Sequence, residues 1–497
     1  MLPQLFSAWV FAGLTAASVN LGTPPCNALA AAGLEERLIF PTDSEYKSQI
    51  NTWFTLNSRL YPWCLVLPHN SEEVALALKT LVDLGGGAGD WDIAVKSGGH
   101  NSFSANNVAN GVTIDLSSMN STTYNPNTNL ASLQPGSRWQ YVYADLEKEG
   151  VVVAGGRDGD VGVGGFLLGG GTSYFSGWVG FGCDSVVNYE VVLTNGSIIN
   201  ANETANADLW RALKGGGSNF GVVTRFDMEA MPSKKLFQDI RYVSANYSSQ
   251  VIDTLSDFAN FNELQGDNAL VTWWTNSRNG MSIGNIYVNL NGDRDKVMSY
   301  DKVMKLPSLT NLTKTQSMAA AAAASKVDGG AWAAGATQTF KNDPRIVQYA
   351  NKLHDEYIES MDKGIGAGNY TTLMFYQPIP ASYGQIGRRR GGNMLGIEDQ
   401  GAAIMWTGGI SLYTTDADCA IAQAEMDIMS TKIQEYAESL DAHVDLVYLN
   451  YAYSSQDPLG SYGKENTQHI RDVADKYDPK GLFQTRVPGG FKISRVE

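Results

Sequence analysis

The sequence predicts an α+β protein of two domains, and three observations carry that reading. Its 497 residues exceed what one hydrophobic core serves, since domains usually run about 100 to 200 residues. Hydrophobic residues make up 43% and charged residues 18%, the balance of a chain that folds rather than one that stays disordered. Short β-type runs alternate with amphipathic helices up to about residue 235, and a second, largely antiparallel strand-and-helix pattern follows.

The elements follow in order. Leu5 to Ala17 is an apolar run ending in small residues, with no charge before Glu35, which reads as a signal peptide over 1–18. A membrane anchor is the competing reading, although the run falls short of the ~20 residues that span a bilayer. Cleavage implies a secreted, extracellular protein, and no later stretch is apolar enough to span a membrane. Asn70 or Ser71 caps a helix with Glu72 and Glu73 in its first turn, stopped at Gly85 to Gly87. Strands are expected at 91–95, 112–116, 130–134 and 151–154, with a helix over 137–149. Asn195-Gly196 turns a hairpin over 190–199, a short helix covers 208–214, and a strand covers 222–228. One domain thus spans about 40–235. A second, over 236–444, takes strands at 240–244, 270–276, 282–289, 372–377 and 404–413 and helices at 250–261 and 417–440. The alanine run 319–324 is a helix turn or a low-complexity insert, without assigned function. Residues 445–497 are short pieces returning to the first domain.

Thirty-six Lys+Arg against 51 Asp+Glu give a net charge of -15, the wrong sign for tracking a phosphate backbone, so no nucleic-acid partner is expected. Of the four cysteines, Cys26 and Cys64 flank the N-terminal segment while Cys183 and Cys419 lie far off, and a Cys26 to Cys64 disulfide is expected. There is no Cys/His metal spacing, so no metal is assigned. Sequons at Asn120, Asn195, Asn202, Asn246, Asn311 and Asn369 are candidate glycan acceptors.

Glycine is the outlier at 52 residues. It clusters in three segments: Lys96-Ser97-Gly98-Gly99-His100-Asn101-Ser102, Gly162-Val163-Gly164-Gly165 with Gly169-Gly170-Gly171, and Gly215-Gly216-Gly217-Ser218-Asn219-Phe220-Gly221. Successive N–H groups freed by glycine can cradle a phosphate-bearing ligand, and each segment taken alone also reads as a loop between strands. A dinucleotide fingerprint begun at Gly162 fails at Leu167, and no Walker A loop exists.

Together with Cys183-Asp184-Ser185-Val186, the 209–224 block and Tyr448-Leu449-Asn450-Tyr451, these segments resemble the FAD-linked oxidases of the vanillyl-alcohol-oxidase superfamily, with its PCMH-type FAD-binding domain. The likeness is narrower to the berberine-bridge-enzyme-like branch in its fungal secreted form. It covers roughly 40–497 and implies a PCMH-type domain beside an α+β substrate domain. It makes residues 97–102 the loop around the FAD pyrophosphate, and adds Gly162, Gly164, Gly165, Gly221, Val223 and Asn450 to the cofactor contacts. His100 becomes the covalent anchor to the flavin 8α-methyl carbon, against the plain reading of a hydrogen-bonded loop histidine. Many relatives form a second link through a cysteine where Asp158 stands here, so attachment through His100 only is expected.

Val161 matches the position where oxidases of the family keep a path for oxygen. Tyr448 matches the Tyr-x-Asn tyrosine on the substrate side, as proton acceptor or else as a core tyrosine with a satisfied hydroxyl. No carboxylate base appears around 402–407. Arg388-Arg389-Arg390 either meets an anionic substrate or is a solvated loop. The resemblance implies a monomeric oxidase passing hydride from a small alcohol, phenol or alkaloid-like substrate to FAD and on to O2 as H2O2. The rivals are an oligosaccharide oxidase and a non-redox FAD-containing cyclase or binding protein.

Overall fold

The computed structural model describes residues 23–85 and 91–496, and the expected signal peptide lies outside them. The helix Pro24–Leu29 is tied by Cys26 to Cys64, which opens the strand Cys64–Val66. The helix Ser71–Leu84 starts where the sequence places it: Asn70 Oδ1 accepts the Glu73 N–H at 2.8 Å, and Val74, Ala77, Leu78 and Leu81 form its buried stripe. It covers a four-stranded sheet ordered Leu38–Ile39, Cys64–Val66, Gly111–Asp115, Asp92–Lys96, whose last three strands are parallel. These elements share one apolar core.

A five-stranded antiparallel sheet follows, ordered Thr122–Asn125, Leu130–Leu133, Val222–Glu229, Val186–Val192, Ile198–Asn202. The Asn195-Gly196 hairpin joins its last two strands, with Gly196 at φ +82°. The helix Trp139–Lys148 packs here, and the alanine run forms the helix Met318–Ala324 against it.

The chain changes sheet between Glu229 and Leu236. An eight-stranded antiparallel sheet runs in the order Ser308–Gln316, Leu236–Ser244, Gly280–Asn289, Asn268–Ser277, Tyr370–Ile379, Ala403–Leu412, Trp332–Lys341, His443–Val444. The helices Ser248–Ala259, Pro344–Gly364 and Asp416–Ser439 bury their apolar sides on one face of it. Part of the other face, including Val288, Ile379, Ala403 and Met405, joins the core built around the glycine segments.

Two expectations are corrected. The stretch after Gly162 is not all loop, because Val163–Leu168 coils into a short helix that buries Val163 and Leu167. The C-terminal part is not only short pieces: Lys464–Tyr477 is a 14-residue helix burying Ile470, Val473, Ala474 and Tyr477. That part does run back to the first sheets. Arg486 Nε donates to Trp91 O at 3.0 Å and its own carbonyl accepts the Ile93 N–H at 2.8 Å, while Asn219 holds the Phe491 carbonyl and the Ile493 N–H, each at 3.1 Å.

Candidate functional site

The first glycine segment leaves the strand Asp92–Lys96 from a fixed point. The Lys96 ammonium, 1% exposed, meets Asp115 at 3.0 Å and Thr52 at 2.5 Å and lies 3.9 Å over the Trp53 ring. Burial lowers its pKa and Asp115 opposes that shift. Ser97 Oγ then bonds the Pro135 carbonyl and accepts the Gly164 N–H at 3.1 Å, fastening the first segment to the second. Gly98 and Gly162 touch backbone to backbone: a Cβ on Gly98 would stand 2.5 Å from the Gly162 Cα, so only glycine fits. Asn101 accepts from Asn106 at 3.1 Å, and Ser102 is exposed.

His100 stacks on Phe54 with ring centroids 4.0 Å apart, and its Nε2 is buried without a hydrogen-bond partner. Burial pulls the ring's pKa down, with Asp158 opposing and Arg138 reinforcing, so the imidazole is neutral. Gly165 is exposed and faces open space. A buried ring nitrogen without a partner, together with the open space at Gly165 where a side chain would stand, fits FAD held from the His100 end. Residues 97–101 and Gly162, Gly164 and Gly165 stand where they would hold it. Gly221 and Val223 sit apart, at the head of the strand Val222–Glu229. Close approach to Val191 and Val192 is enough to require the glycine at 221.

The second and third segments join where the Gly217 N–H donates to Leu168 O at 3.1 Å. Tyr448 comes up against Gly170, 1% exposed, and its hydroxyl oxygen accepts the N–H groups of Gly171 at 2.8 Å and Thr172 at 2.9 Å. Asn450 Nδ2 donates to Phe166 O at 2.9 Å and reaches the same hydroxyl at 3.2 Å. Burial pushes the Tyr448 phenol well above its ordinary range, so at neutral pH it is protonated and its oxygen already engaged. Val161 is half-buried; its carbonyl accepts the Trp139 N–H at 3.1 Å and its side chain packs on the main core. Asp158 spends its two carboxylate oxygens on the N–H groups of Asp160 and Val327, at 2.7 and 3.0 Å. The remaining thiols, Cys183 and Cys419, are buried.

The three consecutive arginines are taken up by carboxylates: Arg388 by Asp399 at 2.7 Å, Arg389 by Glu263, and Arg390 by Glu229 at 2.6 Å. Two groups beside the site escape a reading of glycine spacing. Arg157 Nη2 donates to the Tyr451 hydroxyl at 2.8 Å, with the Tyr174 ring 6.0 Å from its guanidinium carbon. An isolated arginine inside the apolar, glycine-rich stretch 151–165 is the sequence signal for it. The other is the sheet face that carries Gln238 beside Tyr174. On that face Tyr242, Trp273 and Phe375 lie in one cross-strand row, with ring centroids 5.6 and 5.9 Å apart. Gly284 between them leaves the space that Trp273 fills. The register puts no Asp or Glu on this face, and Asp239 points to the other one, bonded to Tyr300.

A family profile described as an FAD binding domain matches residues 62–202. An FAD-dependent monooxygenase of Aspergillus calidoustus is 34% identical over 95% of this chain and 90% of its own length. Another, of Emericella nidulans, is 31% identical over 95% of this chain and 98% of its own. Among solved structures, glucooligosaccharide oxidase from Acremonium strictum, described with a 6-S-cysteinyl, 8α-N1-histidyl FAD, superposes with a TM-score of 0.74 at 19% identity. It covers 94% of this chain and 99% of its own. Physcomitrella patens BBE-like 1 does so with a TM-score of 0.74 at 17% identity, over 94% of this chain and 99% of its own. At such identities the likeness is one of fold.

Proposed function

The chain belongs to the family of FAD-dependent monooxygenases and FAD-linked oxidoreductases that these fungal relatives represent, and on that premise we propose that it is an oxidase of small molecules. It takes a hydride from a carbon bearing oxygen or nitrogen in an alcohol, phenol or alkaloid-like metabolite, and dioxygen leaves as hydrogen peroxide. FAD, when bound, supplies the two-electron chemistry. The observation that carries the reading is His100, whose buried and unpartnered ring nitrogen fits a single covalent attachment. Asp158 and the distant cysteines leave the second attachment of the glucooligosaccharide enzyme without a sulfur.

The chain's own residues divide the remaining work. Residues 97–101 and Gly162 to Gly165 hold the cofactor. Tyr448 and Asn450 fix the Phe166 to Thr172 backbone beneath the substrate. The row Tyr242, Trp273, Phe375 offers flat contact for the ring system of a substrate. Val161 keeps the approach of dioxygen open. The protein acts as a secreted monomer, and Asn120, Asn195, Asn246, Asn311 and Asn369 are exposed for glycosylation. The test is anaerobic mixing of the flavinylated protein with a panel of phenolic, polyketide and alkaloid alcohols, followed by air. Bleaching of the flavin and stoichiometric peroxide support an oxidase. Oxygen incorporated into product without peroxide makes it a monooxygenase instead, and failure of every candidate to bleach the flavin favours the non-redox reading.

A further inference from the structure

The site holds a cation without an anion. The basic side chains buried on strands, Lys96 and Arg241, meet Asp115 and Asp239 at 3.0 and 3.1 Å, and the buried Lys214 and Lys492 donate to the backbone carbonyls of Arg390 and Ser218, each at 3.0 Å. Arg157 pairs with no carboxylate among the described residues. One of its five N–H donors goes to the Tyr451 hydroxyl, which in turn lies 3.4 Å from Thr172 Oγ1. The Tyr174 ring centroid lies 6.0 Å from its guanidinium carbon and the Tyr448 ring 5.0 Å from that of Tyr451, and burial holds both phenols in their neutral form. A half-buried guanidinium flanked by neutral hydroxyls has paid for desolvation without receiving a counter-charge, and a ligand oxyanion would supply it in bidentate geometry.

The same site lacks a base: its tyrosine is protonated, and no carboxylate lies on the sheet face opposite. A substrate whose ionised oxygen is conjugated with the carbon that gives up hydride needs none. From Gln238, beside Tyr174, the strand carries its face through Ile240 to Tyr242, a span of roughly 13 Å at ~3.3 Å per residue. That is the length of a fused-ring skeleton with its acidic oxygen at the Arg157 end.

We propose that Arg157, with Tyr451, is the binding site for the ionised oxygen of an aromatic or conjugated substrate, so that the protein takes its substrate as an anion. This rests on the oxidase reading for the identity of the site, but its test does not require turnover. The flavinylated protein is titrated at pH 7.5 with 2-naphthoate and with 2-naphthamide, which share a shape and differ in charge, and tryptophan fluorescence and calorimetry report binding. The native protein is expected to hold naphthoate at least tenfold tighter. Arg157→Gln brings the two ligands within twofold of each other, and Arg157→Lys, which keeps the charge without the fork, retains part of the preference.

Equal affinities in the native protein overturn the proposal by themselves, even where a variant fails to fold. So does a preference that survives in Arg157→Gln. If that variant instead shifts the flavin midpoint potential and leaves the ligand preference intact, the guanidinium serves the cofactor and the proposal is also lost. A protein that prefers naphthoate yet bleaches with no substrate refutes the oxidase reading and leaves the anion site standing.

Discussion

Replacing Tyr448 by phenylalanine separates two roles for its hydroxyl. The oxygen receives two buried backbone N–H groups, from Gly171 and Thr172 at 2.8 and 2.9 Å, and Asn450 Nδ2 at 3.2 Å. Phenylalanine keeps the ring against Gly170 and leaves both backbone donors unsatisfied. At about 1–3 kcal/mol for each stranded donor the loss is roughly 2 to 6 kcal/mol, while Asn450 keeps its bond to Phe166 O and softens nothing further. Denaturant unfolding followed by both flavin and tryptophan signals measures it, since a chain with two large sheets need not unfold in one step. The companion assay is the rate of anaerobic flavin reduction per bound flavin, from pH 6 to 10. Because burial holds the phenol protonated across this range, Tyr448 contributes no inflection to the native profile, and the variant keeps its rate per flavin within about tenfold, under ~1.4 kcal/mol. The reasoning fails if stability moves by less than ~0.5 kcal/mol while reduction slows a hundredfold or more, for then the hydroxyl belongs to the chemistry and not to the frame.

His100→Ala is expected to release all flavin on acid precipitation, whereas native protein stays yellow and yields one flavin-bearing peptide, the one containing His100; flavin on a cysteine peptide would contradict the reading of Asp158. Val161→Leu adds one methylene and is expected to slow reoxidation by dioxygen at least tenfold, ~1.4 kcal/mol, with anaerobic reduction unchanged; stopped-flow traces slowed equally in both half-reactions would show overpacking instead. His354 is buried against Thr372, 2.7 Å away, and burial lowers its pKa from 6.5 to about 3. The folded state therefore binds fewer protons than the unfolded one between those values, and the stability present above pH 6.5 is lost as pH falls, by about 2 kcal/mol at pH 5. Unfolding at pH 7 and 5 should show that difference in the native protein and lose it in His354→Gln.

The sequence was legible where one short signal suffices. Asn70 with Glu73 fixed a helix start and Asn195-Gly196 a hairpin, each through chemistry confined to a few residues, while the Cys26 to Cys64 bridge, 38 residues apart, followed from where the four cysteines lie. The helix Pro344–Gly364 carries equal signals, an Asp343 cap, proline at its first position and buried Ile346, Ala350, Leu353, Tyr357 and Met361, far from the glycine segments in sequence. Lys464–Tyr477 was harder, because KENTQHIRDVADKY offers a narrow apolar stripe that only the neighbouring core makes worthwhile. The strand Thr122–Asn125 is polar and lies at a sheet edge, so its pairing with Leu130–Leu133 decides it. In the site, residues 97–102 and the two later glycine segments could be read locally. That Gly98 meets Gly162, or that Arg157 meets Tyr451, is fixed by contacts between positions 64 and 294 apart, which no local pattern records.

The bond from Ile93 to residue 486 sets a timetable for synthesis. Asp92–Lys96 is the edge strand of its sheet, and the Arg486 backbone and side chain cover it from 395 residues away in the case of Trp91. At roughly 5–20 residues per second, translation reaches that segment about 20 to 80 seconds after the strand emerges. Through that interval the growing polypeptide carries an open edge ready to pair with a neighbour, in the compartment where Cys26 and Cys64 must also find each other. Chains cut short before residue 486 keep that edge open permanently, so premature stops near the end of the message are expected to give aggregates rather than slightly weakened enzyme.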